Sequence, residues 1–256
     1  MSLDSTFLYA FLLTVVRCGA MLFSSPLFGG QVPATIRVAI TTVVSLSLTT
    51  VVAPYIGPMP GDTYLLVGAV AHEALVGILI GASLQFLMLA AQMAGSFLDL
   101  QVGFSMAQIF NPISGSPTTL LANFKYMLAI VLLLLMNGHH MMFQAFVESY
   151  RLGNGLEMGQ LTSLKDGLLT FIGELSLLAL QISAPVAAVC VIVDVAAGIV
   201  NKAVPQMQAY LVSLPAKILV GVVALSLALP LMVVAVQNGV EHTLETVLKV
   251  VSGRGG

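Results

Sequence analysis

Six long apolar segments constrain this chain more than any other feature of its sequence. They lie near residues 6–23, 37–56, 64–97, 118–137, 167–200 and 208–237. A helix needs about 20 apolar residues to cross the hydrocarbon core of a bilayer. The chain is 58% hydrophobic and only 8% charged, whereas a soluble domain carries roughly 25% charged residues. We therefore predict an all-α membrane protein with about six long apolar helices.

Two of these segments are too long for one simple crossing. A continuous helix over 64–97 would reach roughly 50 Å at 1.5 Å per residue, whereas the hydrocarbon core is about 30 Å thick. Such a helix must tilt, kink or project beyond the membrane. We expect one domain over 1–256, with an irregular loop at 98–117 and a short amphipathic tail at 238–256.

Several function classes are excluded by what the chain lacks. Its net charge is only −2 and it has no basic block, so nucleic acid is not an expected partner. Cys18 and Cys190 lie inside apolar runs and are expected to be buried free thiols. The pair His72-Glu73 lacks the second histidine of a metalloprotease helix, because position 76 is Val76. We predict a protein that is not an enzyme, with no catalytic residue, cofactor or metal site.

Ionisable residues inside the apolar runs are few and scattered singly: Arg17, His72, Glu73, Lys125, Glu174, Asp194 and Lys217. Such groups are costly in a membrane and usually face protein or water. The favoured interpretation is that each lies near a helix end or pairs across a helix contact. The alternative is a secondary transporter that uses Glu73, Asp194 and Lys217 as a proton or substrate site.

Gly77 and Gly81 form a small-residue face on the third apolar segment. Residues four apart lie on the same side of a helix, and small residues there let two helix backbones approach closely. The pair is therefore predicted to pack against another helix and to support assembly.

One irregular stretch, "DLQVGFSMAQIFNPISGSP" at 99–117, separates two of the most apolar segments. Apolar and polar or small residues alternate from Leu98 to Met106, which favours an extended segment with one apolar edge. Ile109 and Phe110 add apolar bulk before Asn111-Pro112 ends the run. Extended backbone at membrane depth persists only when it is buried in protein or lines a water-filled cavity. The stretch is thus either a surface loop or a pore element, and its bulky apolar residues favour the pore element.

Several stretches resemble the FliR/SctT family of type III export-gate subunits. They are "GSFLDLQVGFSMAQIFNP", "MNGHH", "VPATIRVA" and "APVAAVCVIVDVAAGIVNKAVPQMQAYLVSLPAKILVG". The resemblance covers nearly the whole chain in order. It departs from the common pattern at Asn201-Lys202, Ser213 and Asp99. Because Asp99 is typical of SctT, an injectisome subunit is an alternative to a flagellar one.

The resemblance implies a channel subunit without chemistry of its own, in the bacterial inner membrane at the flagellar basal body. Its partners would be FliP and FliQ homologues, with FlhB and FlhA homologues nearby and unfolded flagellar proteins as the transported substrates. The resemblance also implies a channel plug formed by Gln101, Gly103, Phe104, Met106, Ile109, Phe110, Asn111 and Pro112. The residues predicted to serve helix packing and assembly are Gly77, Gly81, Asp194, Lys202, Pro205, Gln206, Pro215 and Lys217.

Overall fold

The computed structural model describes residues 5–28, 32–104, 119–152, 161–203 and 209–251. All of the regular structure in these ranges is helical, which confirms the predicted all-α class. The α-helices are α1 (Ser5–Ser24), α2 (Ala34–Val52), α3 (Thr63–Val102), α4 (Leu120–Leu135), α5 (Gly138–Arg151), α6 (Leu161–Ala203) and α7 (Ala209–Val251). Short 3-10 turns follow α1 at Pro26–Phe28 and α2 at Ala53–Tyr55.

Five of the described helices are long and apolar enough to cross a membrane, and the bent pair of α4 and α5 raises the number to six. The break in that pair lies at Asn137, whose φ is 56° in the left-handed region that asparagine tolerates. Three helices are far longer than a crossing needs: α3 has 40 residues, and α6 and α7 have 43 each. At 1.5 Å per residue α3 is about 60 Å long.

The structure corrects the expectation of an extended segment from residue 98. Residues 98–102 are not extended, because α3 continues through them to Val102. An alternation this short also fits a helix: Leu98 and Val102 lie one turn apart and are both buried, whereas Leu100 is 67% exposed. Residues 238–251 belong to α7, which runs without a break to Val251, and the amphipathic tail at 238–256 stays a prediction.

Contacts within the chain divide it into two compact units. Unit 1 comprises residues 1–87, 133–172 and 239–256, and unit 2 comprises residues 88–132 and 173–238. Consequently α3, α4, α6 and α7 each contribute residues to both units. The prediction of a single export-gate domain over 1–256 stays a prediction.

In unit 1, α2 turns small polar residues towards its neighbours and leaves apolar ones outside. Thr41, Ser45 and Thr49 follow one another at intervals of one helical turn and are buried. Thr41 and Thr49 donate their hydroxyl hydrogens to the carbonyl oxygens one turn earlier, at 2.8 and 2.6 Å. Thr41 also lies beside Gly19 of α1. Small residues at such contacts let membrane helices approach closely.

Unit 2 has a compact apolar core where the end of α3 meets α4, α6 and α7. It consists of Leu98, Val102, Leu121, Val186, Cys190, Leu225 and Ala228, all buried. Gly221 of α7 permits part of this packing, because a Cβ there would come closer than 3.0 Å to the Val102 side chain. The core therefore fixes the end of α3, which leads into the predicted plug segment.

Candidate functional site: the helix ends that flank the predicted plug

The predicted plug begins at the last turn of α3, and the structure describes only its first residues. Gln101 is half-buried in that turn, and Gly103 and Phe104 follow it. Five other predicted plug residues, namely Met106, Ile109, Phe110, Asn111 and Pro112, lie outside the described residues.

Gly103 ends α3 in a conformation that favours glycine. Its φ is +97°, and its N–H donates to the carbonyl oxygen of Asp99 at 3.1 Å. Helices commonly end with a glycine at positive φ that satisfies one of the last carbonyl groups in this way. A side chain at position 103 would be strained by this backbone and would also lie 3.4 Å from Leu214.

Phe104 continues the contact between the end of α3 and unit 2. Its ring packs against the buried core of that unit, together with Ala187, Ile218 and Ala224. Of the predicted blocking side chains, Phe104 is thus placed against the core of its own unit.

Asp99 joins the two helices that flank the segment. Its side chain is completely buried, and its two carboxylate oxygens accept hydrogen bonds from the backbone N–H groups of Leu121 and Ala122, at 3.1 and 3.0 Å. These donors belong to the first turn of α4, where backbone N–H groups have no partner within their own helix. The positive end of the helix dipole further favours a carboxylate there. Asp99 therefore caps α4 from α3.

Gly95 makes this capping possible, because it lies one helical turn before Asp99. A Cβ at Gly95 would come closer than 3.0 Å to the Cα of Ala122 and to the carbonyl oxygen of Leu121. Only glycine leaves room for the two backbones to approach this closely. Gly95 and Asp99 together form the contact between the end of α3 and the start of α4.

The second predicted charged site also lies in unit 2. The Lys217 ammonium donates to both carboxylate oxygens of Asp194, at 2.8 and 2.7 Å. The Lys217 side chain is 11% exposed and that of Asp194 is 41% exposed. The pair joins α6 to α7.

Four other predicted assembly residues belong to the ranges of unit 2. Lys202 and Pro215 are exposed, at the end of α6 and inside α7 respectively. Pro205 and Gln206 lie outside the described residues.

Glu73 belongs to a buried polar cluster of unit 1. The Arg17 Nε donates to Glu73 Oε2 at 2.5 Å, and the Tyr150 hydroxyl donates to the same oxygen at 2.8 Å. Arg17 Nη1 donates to the Ser149 hydroxyl at 2.7 Å, and the guanidinium lies 3.6 Å from the centre of the Tyr150 ring. The cluster links α1, α3 and α5. Nothing in the sequence indicated that these side chains contact one another.

Gly77 and Gly81 lie against α1 of the same chain. A Cβ at Gly77 would come closer than 3.0 Å to the Arg17 carbonyl oxygen, and one at Gly81 equally close to the Met21 carbonyl oxygen. The small-residue face is thus already occupied within unit 1. It also brings α3 near enough for Glu73 to reach Arg17.

The polar clusters described above make contacts between helices. Within the described ranges no group of three or more His, Cys, Asp or Glu side chains could hold a metal ion. Cys18 and Cys190 are buried free thiols. The residue that sequence reasoning missed is Asp99, noted only as a departure from a motif. The sequence feature that could have identified Asp99 is a single carboxylate four residues before Gly103, the glycine at which α3 ends.

Comparison with known proteins identifies the protein family. Residues 8–243 match the family described as bacterial export proteins, family 1. The flagellar biosynthetic protein FliR of Bacillus subtilis is 31% identical over 93% of this chain and 92% of its own. FliR of Caulobacter vibrioides is 30% identical over 86% of this chain and 88% of its own. The surface presentation of antigens protein SpaR of Salmonella typhimurium is 32% identical over 58% of this chain and 56% of its own.

These matches confirm the resemblance on which the plug and assembly residues were predicted. The alignment with the Bacillus subtilis protein extends over 93% of the chain and is therefore not limited to one motif. Both a family match over more than half of the chain and a relative above 30% identity support the same conclusion. This chain belongs to the bacterial export proteins of family 1 and is FliR-like along nearly its whole length.

Proposed function

We propose that this chain is a structural channel subunit of the flagellar type III protein export apparatus, in the inner membrane at the flagellar basal body. The observation that carries the proposal is the FliR-like match over 93% of the chain. The injectisome alternative has support from the shorter match to SpaR, over 58% of the chain. Because matches to FliR proteins extend over more of the chain, we take the flagellar assignment.

The surface of the helices supports a role inside a larger assembly. On α7, Leu219, Val223, Leu227 and Leu231 form an apolar stripe at helical spacing, and Leu227 is 77% exposed. A soluble monomer rarely exposes a contiguous patch of this kind. Lipid or partner subunits must cover this stripe. A helix of 43 residues is long enough to contact lipid along one part of its length and partner subunits along another. We propose FliP and FliQ homologues as the direct partners, with FlhB and FlhA homologues in the same apparatus.

We further propose that the segment after α3 is the channel plug. The extension of α3 to Val102 supports a plug whose irregular part starts at Gly103 rather than at residue 98. The proposed blocking side chains are Met106, Ile109 and Phe110, whereas Phe104 packs against the core of unit 2. Apolar side chains in a narrow constriction close a channel by excluding water, and methionine refits readily around variable surfaces. A channel that passes unfolded proteins needs such a seal while it is idle.

Co-expression tests the proposed assembly. The chain expressed alone should be unstable in detergent, whereas co-expression with the FliP and FliQ homologues of the same genome should yield one defined complex. Size-exclusion chromatography with light scattering measures both states. A stable, monodisperse chain that transports a small solute by itself would refute the gate proposal and favour the secondary transporter.

A further inference from the structure

Asp99, and not the neighbouring residue Thr119, caps the N-terminus of α4. Thr119 precedes α4, and its carbonyl oxygen accepts the first helical hydrogen bond, from Asn123 N–H at 3.0 Å. Threonine in this position normally caps the helix with its hydroxyl. Here the Thr119 hydroxyl is buried and has no hydrogen-bond partner among the described residues. The N–H groups that it would satisfy are instead bound by Asp99, 22 and 23 residues away in the sequence.

The same residue also marks the end of α3. The backbone carbonyl of Asp99 accepts the hydrogen bond of Gly103, at which α3 ends with a positive φ. One residue thus takes part in both helix termini, with its backbone at the end of α3 and its side chain at the start of α4. The close approach at Gly95 holds the two backbones at contact distance beside it.

We infer that Asp99 is a positioning residue: it fixes the spacing between the end of α3 and the start of α4, and so fixes where the chain leaves one helix and enters the other. A local cap by Thr119 would stabilise α4 equally well but would set no spacing. A cap whose acceptor belongs to another helix stabilises α4 and also sets the spacing between the two helix ends. The consequence for channel closure rests on the proposed function, whereas the spacing itself does not.

Spin labels measure the spacing directly. Leu100 and Leu120 are both 67% exposed, so each accepts a label without disturbing the core. The labels go on Leu100→Cys and Leu120→Cys, after Cys18 and Cys190 are replaced by alanine, in the chain co-purified with its partners. Asp99→Asn keeps the shape of the side chain but puts an amide donor against a backbone donor, so one of the two hydrogen bonds is lost. We expect the dipolar interaction between the labels to weaken and spread in D99N. Thr119→Ala is the matched control and should leave it unchanged. An unchanged interaction in D99N would overturn the inference.

A second pair of variants separates positioning from simple helix capping. Asp99→Ala removes both bonds and should lower the melting temperature of the complex. Adding Thr119→Asp supplies a local cap and should recover that loss. If Asp99 positions the helix ends, the label interaction stays weakened in D99A/T119D although stability returns. If the double variant restores the wild-type label interaction as well, Asp99 is only a cap and the inference is wrong.

Measurements of ion conductance test whether the spacing between the two helix ends affects closure of the channel. Across bilayers that hold purified complex, D99N should raise the closed-state conductance about tenfold, which corresponds to ~1.4 kcal/mol. In a chain that lacks residues 105–110, D99N should add no further conductance, because the segment it positions is gone. A further rise in that background would show that Asp99 does not act through the segment. If the deletion alone conducts no more than wild type, the plug proposal fails, while the spin-label result still decides the role of Asp99.

Discussion

Glu73→Gln should destabilise unit 1 although it changes one atom. The amide oxygen can still accept from Arg17 Nε and the Tyr150 hydroxyl, but the negative charge opposite a completely buried guanidinium is lost. Removal of one partner from a buried ion pair typically costs 3–5 kcal/mol, because the remaining charge is left without compensation. We expect roughly 3 kcal/mol for E73Q, the lower end of that range.

Two further variants make this prediction specific. Tyr150→Phe keeps the ring under Arg17 and removes one hydrogen bond to a charged group, so it should cost about 1.5–3 kcal/mol, no more than E73Q. The double variant Arg17→Met with Glu73→Met removes both charges, and such replacements are often neutral. It should therefore recover most of the loss caused by E73Q. Pulse proteolysis in mild detergent gives the free energies of unfolding.

The same variants test whether Glu73 carries protons. If the pair is structural, the Arg17→Met/Glu73→Met chain should assemble and support protein export. An E73Q chain as stable as wild type, or a double variant no more stable than E73Q, would refute the argument from buried charge. Normal assembly with complete loss of export in the double variant would instead favour the transporter alternative.

Two other predictions follow from the helix contacts and from the plug. Gly77→Leu and Gly81→Leu should each lower the melting temperature of the complex, because a Cβ at either site would collide with backbone atoms of α1; Gly68→Leu, where no atom lies within 4 Å of a Cβ, is the control and should be neutral. If all three variants melt alike, the α1–α3 contact does not depend on small residues. Met106→Ala with Phe110→Ala, or deletion of residues 105–110, should leave the complex detectable and raise its ion conductance. A deletion that assembles normally and conducts no more than wild type would show that this segment is not the seal.

The helices and the family could be predicted from the sequence, because both depend on local patterns. Apolar runs longer than about 18 residues identify membrane helices without knowledge of their neighbours. The exact end of α3 could not be found in this way. The alternation within residues 98–102 fits a strand and a helix equally well, and burial of Leu98 and Val102 one turn apart decides for the helix.

The polar contacts could not be predicted, because their partners are distant in the sequence. Arg17 and Glu73 are 56 residues apart, and Glu73 and Tyr150 are 77 apart. Neither contact has a motif, since an ion pair requires only opposite charges, and a buried hydrogen bond only a donor and an acceptor, at a packed contact. The sequence did favour pairing over a transport site for such residues. It could not say that Glu73 pairs in unit 1 while Asp194 and Lys217 pair in unit 2.

The cap that Asp99 provides has a consequence for how the chain is made. The acceptor comes first: Asp99 leaves the ribosome 22 residues before Leu121, the nearer of its donors. At 5–20 residues per second this interval lasts about one to four seconds. During that time the carboxylate has no helix to cap and is costly to place in lipid. The end of α3 must therefore stay hydrated, or be held by the insertion machinery, until α4 is synthesised. Once α4 emerges, its first turn finds its acceptor already in place.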